Sequence, residues 1–90
     1  MVYTYLLKSL RDGSFYVGIT NNLEIRLKNH NKGYVKATYF KRPYELAFFK
    51  CHSNYAEARK HEIWLKKKNV VYKNRLTTIG RELIPPSQTG

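Results

Sequence analysis

The apolar residues of this chain change period as it proceeds, and each change predicts a different element. From Val2 to Lys8, VYTYLLK, aromatic and aliphatic residues predict a first strand with Tyr3, Tyr5 and Leu7 on one face. Arg11, Asp12 and Gly13 supply its turn. Phe15 to Thr20, FYVGIT, alternates, placing Tyr16, Gly18 and Thr20 on one face of a second strand and Phe15, Val17 and Ile19 on the other. The connection is too short for a parallel crossover, so an antiparallel hairpin is expected, with Tyr5 and Tyr16 near each other on one sheet face. Asn21 and Asn22 offer turn and N-cap chemistry, and from about Leu23 the period becomes helical. Leu23, Arg26, Leu27 and His30 share one face of that helix, and Asn31, Lys32 and Gly33 read as its stop.

Tyr34 to Pro43, YVKATYFKRP, reads as a loop with room for one helical turn and with Lys36, Lys41 and Arg42 facing solvent. Its interleaved aromatics and cations suit nucleic-acid contact, and they equally suit anchoring a loop to the core. Tyr44 to Cys51, YELAFFKC, predicts a third strand beside the hairpin. Ser53 and Asn54 cap a helix that runs to about Lys68, with Glu57 as the capping-box partner. Tyr55, Ala58, Glu62 and Leu65 form its core-facing stripe, so Glu62 stands where a carboxylate is costly unless paired, for example with Arg26, or bound to a metal. Lys66, Lys67 and Lys68 end the helix, where cations complement its dipole. Val70 to Tyr72 reads as a short edge strand, Lys73 to Arg75 as a polar link, and Leu76, Ile79 and Leu83 as a weak last helix around Gly80. Pro85 and Pro86 end regular structure, so one domain is expected over 1–84 and a disordered tail over 85–90.

Composition changes this picture in two ways. Ninety residues with 42% apolar and 14% aromatic content suffice for one small core, while a net charge of +11, from 17 basic and 6 acidic residues, points to a polyanionic partner. The single cysteine, Cys51, excludes an internal disulfide and suits a reducing, cytoplasmic setting. Lys8 and Arg11 interrupt the N-terminal apolar run, which does not read as a secretory leader, and no stretch approaches the roughly 20 apolar residues of a membrane span. A phenol, a guanidinium and an imidazole converging on one surface, Tyr16, Arg26 and His30, point to chemistry on an anion.

Taken together and in order, these residues resemble the GIY-YIG nuclease domain, from Val2 to about Arg75. The first motif reads Tyr3-Thr4-Tyr5, with the family's leading Gly and central Ile replaced, and the second reads Tyr16-Val17-Gly18. Tyr5 lies 11 positions before Tyr16, and Arg26 lies 10 after it. His30 matches a histidine of many members, Glu62 in ARKHEIWLKK the metal-binding glutamate, and Asn74 the late asparagine. Some repair excision nucleases carry a lysine shortly after the glycine of the second motif; here Ile19 stands in that place. The chain is most similar to the short standalone members.

The resemblance implies an α+β fold in the broad α/β class: a small three-stranded antiparallel sheet flanked by helices, of GIY-YIG type. It implies a metal-dependent endonuclease that hydrolyses phosphodiester bonds in DNA, with structured or damaged DNA in repair or recombination as the substrate class and RNA left open. Glu62 would hold one divalent cation, Mg²⁺ or Mn²⁺, since a lone carboxylate suits a hard ion that keeps its waters. Arg26 would clamp the phosphate, Tyr5 or Tyr16 would orient or deprotonate the water, His30 would share that role or hydrogen-bond a tyrosine, and Asn74 would position a ligand. Lys36, Lys41, Arg42, Lys66, Lys67 and Lys68 are the candidate nucleic-acid contacts. The alternative is a nucleic-acid-binding module with little cleavage of its own. In either case a protein partner or a homodimer would help select the substrate.

Overall fold

Strand β1, Val2–Ser9, is the middle of the sheet, and its sequence shows why. Thr4, Tyr5, Leu6 and Leu7 are buried in succession, so both faces of this strand are covered, whereas a half-exposed strand would alternate. The computed structural model describes residues 1–83 and gives the order β1, β2 Phe15–Thr20, α1 Leu23–Lys32, a 3-10 helix Lys36–Lys41, β3 Tyr44–His52, α2 Tyr55–Lys66 and α3 Val70–Leu83. The sheet order is β2-β1-β3, antiparallel throughout, with Tyr5 opposite Gly18 on one side and Phe49 on the other. The three-stranded α+β architecture expected from the sequence is the one observed.

The two sheet faces carry separate cores. Leu6, Val17 and Ala47 meet Leu65 of α2, with Tyr72 and Leu76 of α3 packed against them. On the other face Tyr5, Leu7 and Tyr44 meet Leu23 and Leu27 of α1. A bulge in β3 shifts the register between Leu6 and Leu7, so Ala47 and Phe48 both reach the α2–α3 side. Local chemistry fixes the ends of the elements. Asn22 Oδ1 accepts from Ile25 N at 3.1 Å and Asn54 Oδ1 from Glu57 N at 2.9 Å, while Gly33 closes α1 with φ 87°. Asn31 acts as a substitute strand partner, donating to Tyr44 O at 3.0 Å and accepting from Tyr44 N at 2.7 Å, which ties α1 to the start of β3.

Three expectations are corrected. Val70 to Tyr72 is not an edge strand, and Lys73 to Arg75 is not a link: α3 begins at Val70 and is continuous through both. Asn69 caps it by accepting from Tyr72 N at 2.9 Å, and the i, i+4 pair Tyr72 and Leu76 gains more from packing on the core than β-branched Val70 and Val71, both exposed, gain from a strand. Tyr55 opens α2 but is 62% exposed, so the buried stripe of that helix is Ala58, Glu62 and Leu65. The stretch from Lys36 to Lys41, read chiefly as loop, is a 3-10 helix; Lys36 and Lys41 face solvent, but Arg42 is half-buried. The surroundings of Gly80, the side chain of Leu83 and the tail expected over 85–90 lie outside the described residues. Among the described residues no helix is long and apolar enough to cross a membrane.

Gly18 is explained by its neighbour. A Cβ built there would sit 2.5 Å from Tyr5 Cζ and closer still to its hydroxyl, because the Tyr5 ring crosses directly over residue 18. Gly18→Ala is expected to destabilise the fold by about 1–3 kcal/mol through this overpacking, read as a lower urea midpoint at unchanged m-value. An unchanged midpoint would show that the ring is free to move aside.

Candidate active site

The crossing of Tyr5 over Gly18 sets the site. It carries the phenol hydroxyl to α1, where Arg26 Nε donates to it at 3.2 Å and His30 Nε2 lies 2.9 Å away. Arg26 and His30 are one helical turn apart on α1, so both reach the same hydroxyl. His30 is fully buried, and its other ring nitrogen, Nδ1, lies 2.8 Å from Thr38 Oγ1 in the 3-10 helix. Tyr16 sits alongside, its ring centroid 5.0 Å from that of His30 and 6.4 Å from that of Tyr5. Tyr5 is 2% exposed, whereas Tyr16 is only half-buried and acts electrostatically on the Arg26 guanidinium. Arg26 gives its Nε–H to Tyr5 and also interacts with the Tyr16 hydroxyl, which leaves further donors of its five-proton fork for an anion.

Glu62 approaches from α2, which packs against β1 and β2, and its charge acts on Tyr5. The carboxylate is 5% exposed and pairs with cations of its own helix, Arg59 Nη1 at 2.5 Å and Lys66 Nζ at 3.4 Å. Arg26, considered as its partner on sequence grounds, binds Tyr5 instead. Glu62 is the one buried carboxylate among the described residues, and no cluster of three or more His, Cys, Asp or Glu occurs among them. Asn74 is not part of the tyrosine–histidine network: it lies mid-α3, exposed, with its Oδ1 3.5 Å from Lys8 Nζ.

The expected nucleic-acid contacts divide. Lys41 pairs with Asp12 at 3.6 Å, and Arg42 stacks 4.1 Å over Tyr39 while bonding Tyr39 O at 2.8 Å, so both anchor the 3-10 helix. Lys36 is exposed at the start of that helix. Lys66 is held by Glu62, whereas Lys67 and Lys68 line an open concavity of about 400 Å³ with Asn69, Val71, Tyr72 and Arg75. Two contributors to this network escaped the sequence reading. Thr38 has no motif to mark it, and the role of Gly18 as the space for the Tyr5 ring is visible only once the strands are paired.

Burial, and then the Arg26 charge, push the His30 imidazole down to about 4, and burial pushes the Tyr5 phenol above its ordinary value of 10.0 despite the Arg26 hydrogen bond. Both rings are therefore neutral near pH 7. An unfolded histidine takes up a proton near pH 6.5, so between pH 6.5 and about 4 the unfolded chain binds more protons than the folded one. The stability contributed by neutral His30 is full above pH 6.5 and declines as pH falls through that window. The expected result in an NMR titration is a His30 ring still neutral at pH 5; titration near 6.5 would contradict the burial argument.

Comparison with known proteins places this arrangement. The chain is 47% identical over 66 residues to a UPF0213 protein of Bacillus licheniformis, covering 72% of this chain and 67% of that one. It is 44% identical over 68 residues to a UPF0213 protein of Clostridium perfringens, covering 74% and 72%. The solution NMR structure of a UPF0213 protein from Bacillus halodurans superposes with a TM-score of 0.55 at 28% identity, covering 99% of this chain and 93% of that one. The family model of the GIY-YIG catalytic domain matches residues 1–74, a span that contains every residue of the network just described, and the chain belongs to that nuclease family.

Proposed function

We propose that the chain is a divalent-metal-dependent endonuclease acting on DNA. The observation that carries this reading is the Tyr5 hydroxyl, held between Arg26 and His30 with the Glu62 charge acting on it, in a domain of net charge +11. Phosphodiester hydrolysis needs charge neutralisation on the phosphate, a water aligned for attack and help for the leaving oxygen. Arg26 presents its remaining guanidinium donors to the phosphate. Tyr16, the more accessible phenol, contacts and orients the water, whereas Tyr5 is buried and already bonded on both sides, so it positions Arg26. His30, neutral and hydrogen-bonded to the Tyr5 hydroxyl, holds that phenol against Arg26.

The donor set fits a hard cation: one buried carboxylate, whose counter-ions Arg59 and Lys66 are each about half exposed and free to swing away. A Mg²⁺ or Mn²⁺ ion held by Glu62 would neutralise phosphate charge and acidify a bound water. Cations suit phosphate contact, which carries no base information, so DNA shape is the feature to be read, as in structured or damaged DNA during repair or recombination. A second reading, a binding module with little cleavage, is favoured by one observation, that both oxygens of Glu62 are already occupied by cations.

Cleavage of labelled duplex, nicked, flap, four-way and single-stranded DNA, and of RNA, separates the two. Wild type should cut in Mg²⁺ or Mn²⁺ and not in EDTA, and Glu62→Ala should lose cutting while binding stays within about threefold. Arg26→Ala should reduce the rate by about 10²–10³-fold, the usual loss for a donor to developing charge. Undiminished cutting by Glu62→Ala would refute the mechanism, and salt-sensitive binding without cutting by wild type would favour the module.

A further inference from the structure

One buried hydroxyl beside the site constrains where its neighbours can carry their protons. Thr38 is fully buried in the 3-10 helix, and its hydroxyl meets two groups: Val35 O at 3.3 Å, which only accepts, and His30 Nδ1 at 2.8 Å. A threonine hydroxyl has one proton. If that proton goes to Val35 O, the Thr38 oxygen accepts from His30, which places the imidazole proton on Nδ1 and leaves Nε2 as an acceptor. The Tyr5 hydroxyl then donates to His30 Nε2, and its oxygen accepts from Arg26 Nε. Every proton in the chain has an acceptor. In the opposite arrangement Thr38 donates to Nδ1, while His30 Nε2 and Arg26 Nε both donate to the Tyr5 oxygen, and the buried Tyr5 proton has no acceptor among these groups.

We propose that Thr38 is a positioning residue that fixes His30 in its Nδ1–H tautomer and, through the one-way chain Arg26 to Tyr5 to His30 to Thr38, aims the Arg26 guanidinium. Its role in catalysis rests on the nuclease reading; the tautomer does not. The groups around the imidazole are Tyr5 of β1, Tyr16 of β2, Arg26 of α1, Thr38 of the 3-10 helix and Tyr44 of β3, and the charge acting on it is that of Arg26. Because Arg26 is a permanent donor, it cannot set the polarity of the far end of the chain. The Thr38–Val35 contact does so from outside the catalytic groups.

The test combines imidazole ¹⁵N NMR with kinetics on wild type, Thr38→Val and Thr38→Ser, all as the full chain. Wild type at pH 7 should show His30 protonated on Nδ1. Thr38→Val, which keeps the shape and removes the acceptor, should populate the Nε2–H tautomer and lower kcat about tenfold or more. Thr38→Ser should restore both tautomer and rate to within about threefold. A wild-type His30 protonated on Nε2 overturns the proposal, as does a folded Thr38→Val protein that keeps the Nδ1–H form or the wild-type rate. Should Thr38→Val fail to fold, the wild-type spectrum and the Thr38→Ser comparison still decide. If wild type cuts no nucleic acid, the function proposed above fails while the tautomer is judged from the spectra alone.

Discussion

A buried phenol must be hydrogen-bonded, and the hydrogen bonds of Tyr5 organise the rest of this molecule. Tyr5 belongs to the central strand, so neither of its faces meets water, and its ring can reach a polar partner only by passing over a neighbouring strand. Gly18 opens that path by having no side chain. At its end stand Arg26 and His30, held one turn apart by a helix whose start is capped by Asn22 and whose end is closed by Gly33. Asn31 and Thr38 then tie that helix to β3 and to the 3-10 helix. Fold and site are thus one set of constraints: the groups that satisfy a buried hydroxyl are also those that point a guanidinium outward.

Electrostatics divides along the same lines. The excess of positive charge draws a polyanion to the whole surface, but many individual cations are committed locally, Lys41 to Asp12, Arg42 to Tyr39, and Lys66 and Arg59 to Glu62. Arg26, beside the tyrosines, gives only part of its fork to them and keeps donors for an anion. Glu62 contributes from the opposite side of the sheet, a negative charge held in a largely buried place by counter-ions that are themselves exposed. Such a carboxylate can exchange its half-exposed partners at little cost.

Much of this was legible in the sequence because the relevant signals are local. The spacing of Tyr5, Tyr16, Arg26 and His30 follows from strand and helix periods, and the network that joins Tyr5, Arg26 and His30 is built on those periods. Glu62 stood out as a carboxylate on an apolar stripe, and it is buried. What escaped depends on contacts far apart in sequence. Thr38 meets His30 only because the 3-10 helix folds back on α1, and the bulge at Ala47 answers to packing on the far face. The first turn of α3 was misread because Val70 and Val71 have strand propensity, which the Asn69 cap and the burial of Tyr72 and Leu76 outweigh. Asn74, matched by its distance from Glu62, lies on that helix beside Lys8 and outside the tyrosine network.

The central claim is that nucleic-acid phosphate is received at the face where Arg26, Tyr16 and Tyr5 meet. The most direct measurement is an NMR titration of the ¹⁵N-labelled chain with a short DNA duplex in EDTA, following the Arg26 side-chain resonances together with backbone amides. The account predicts that Arg26 and the residues around Tyr16 shift first and saturate together, with smaller changes at the exposed lysines of the α2–α3 corner. Shifts confined to that corner or to the 3-10 helix, with Arg26 unmoved, would contradict it.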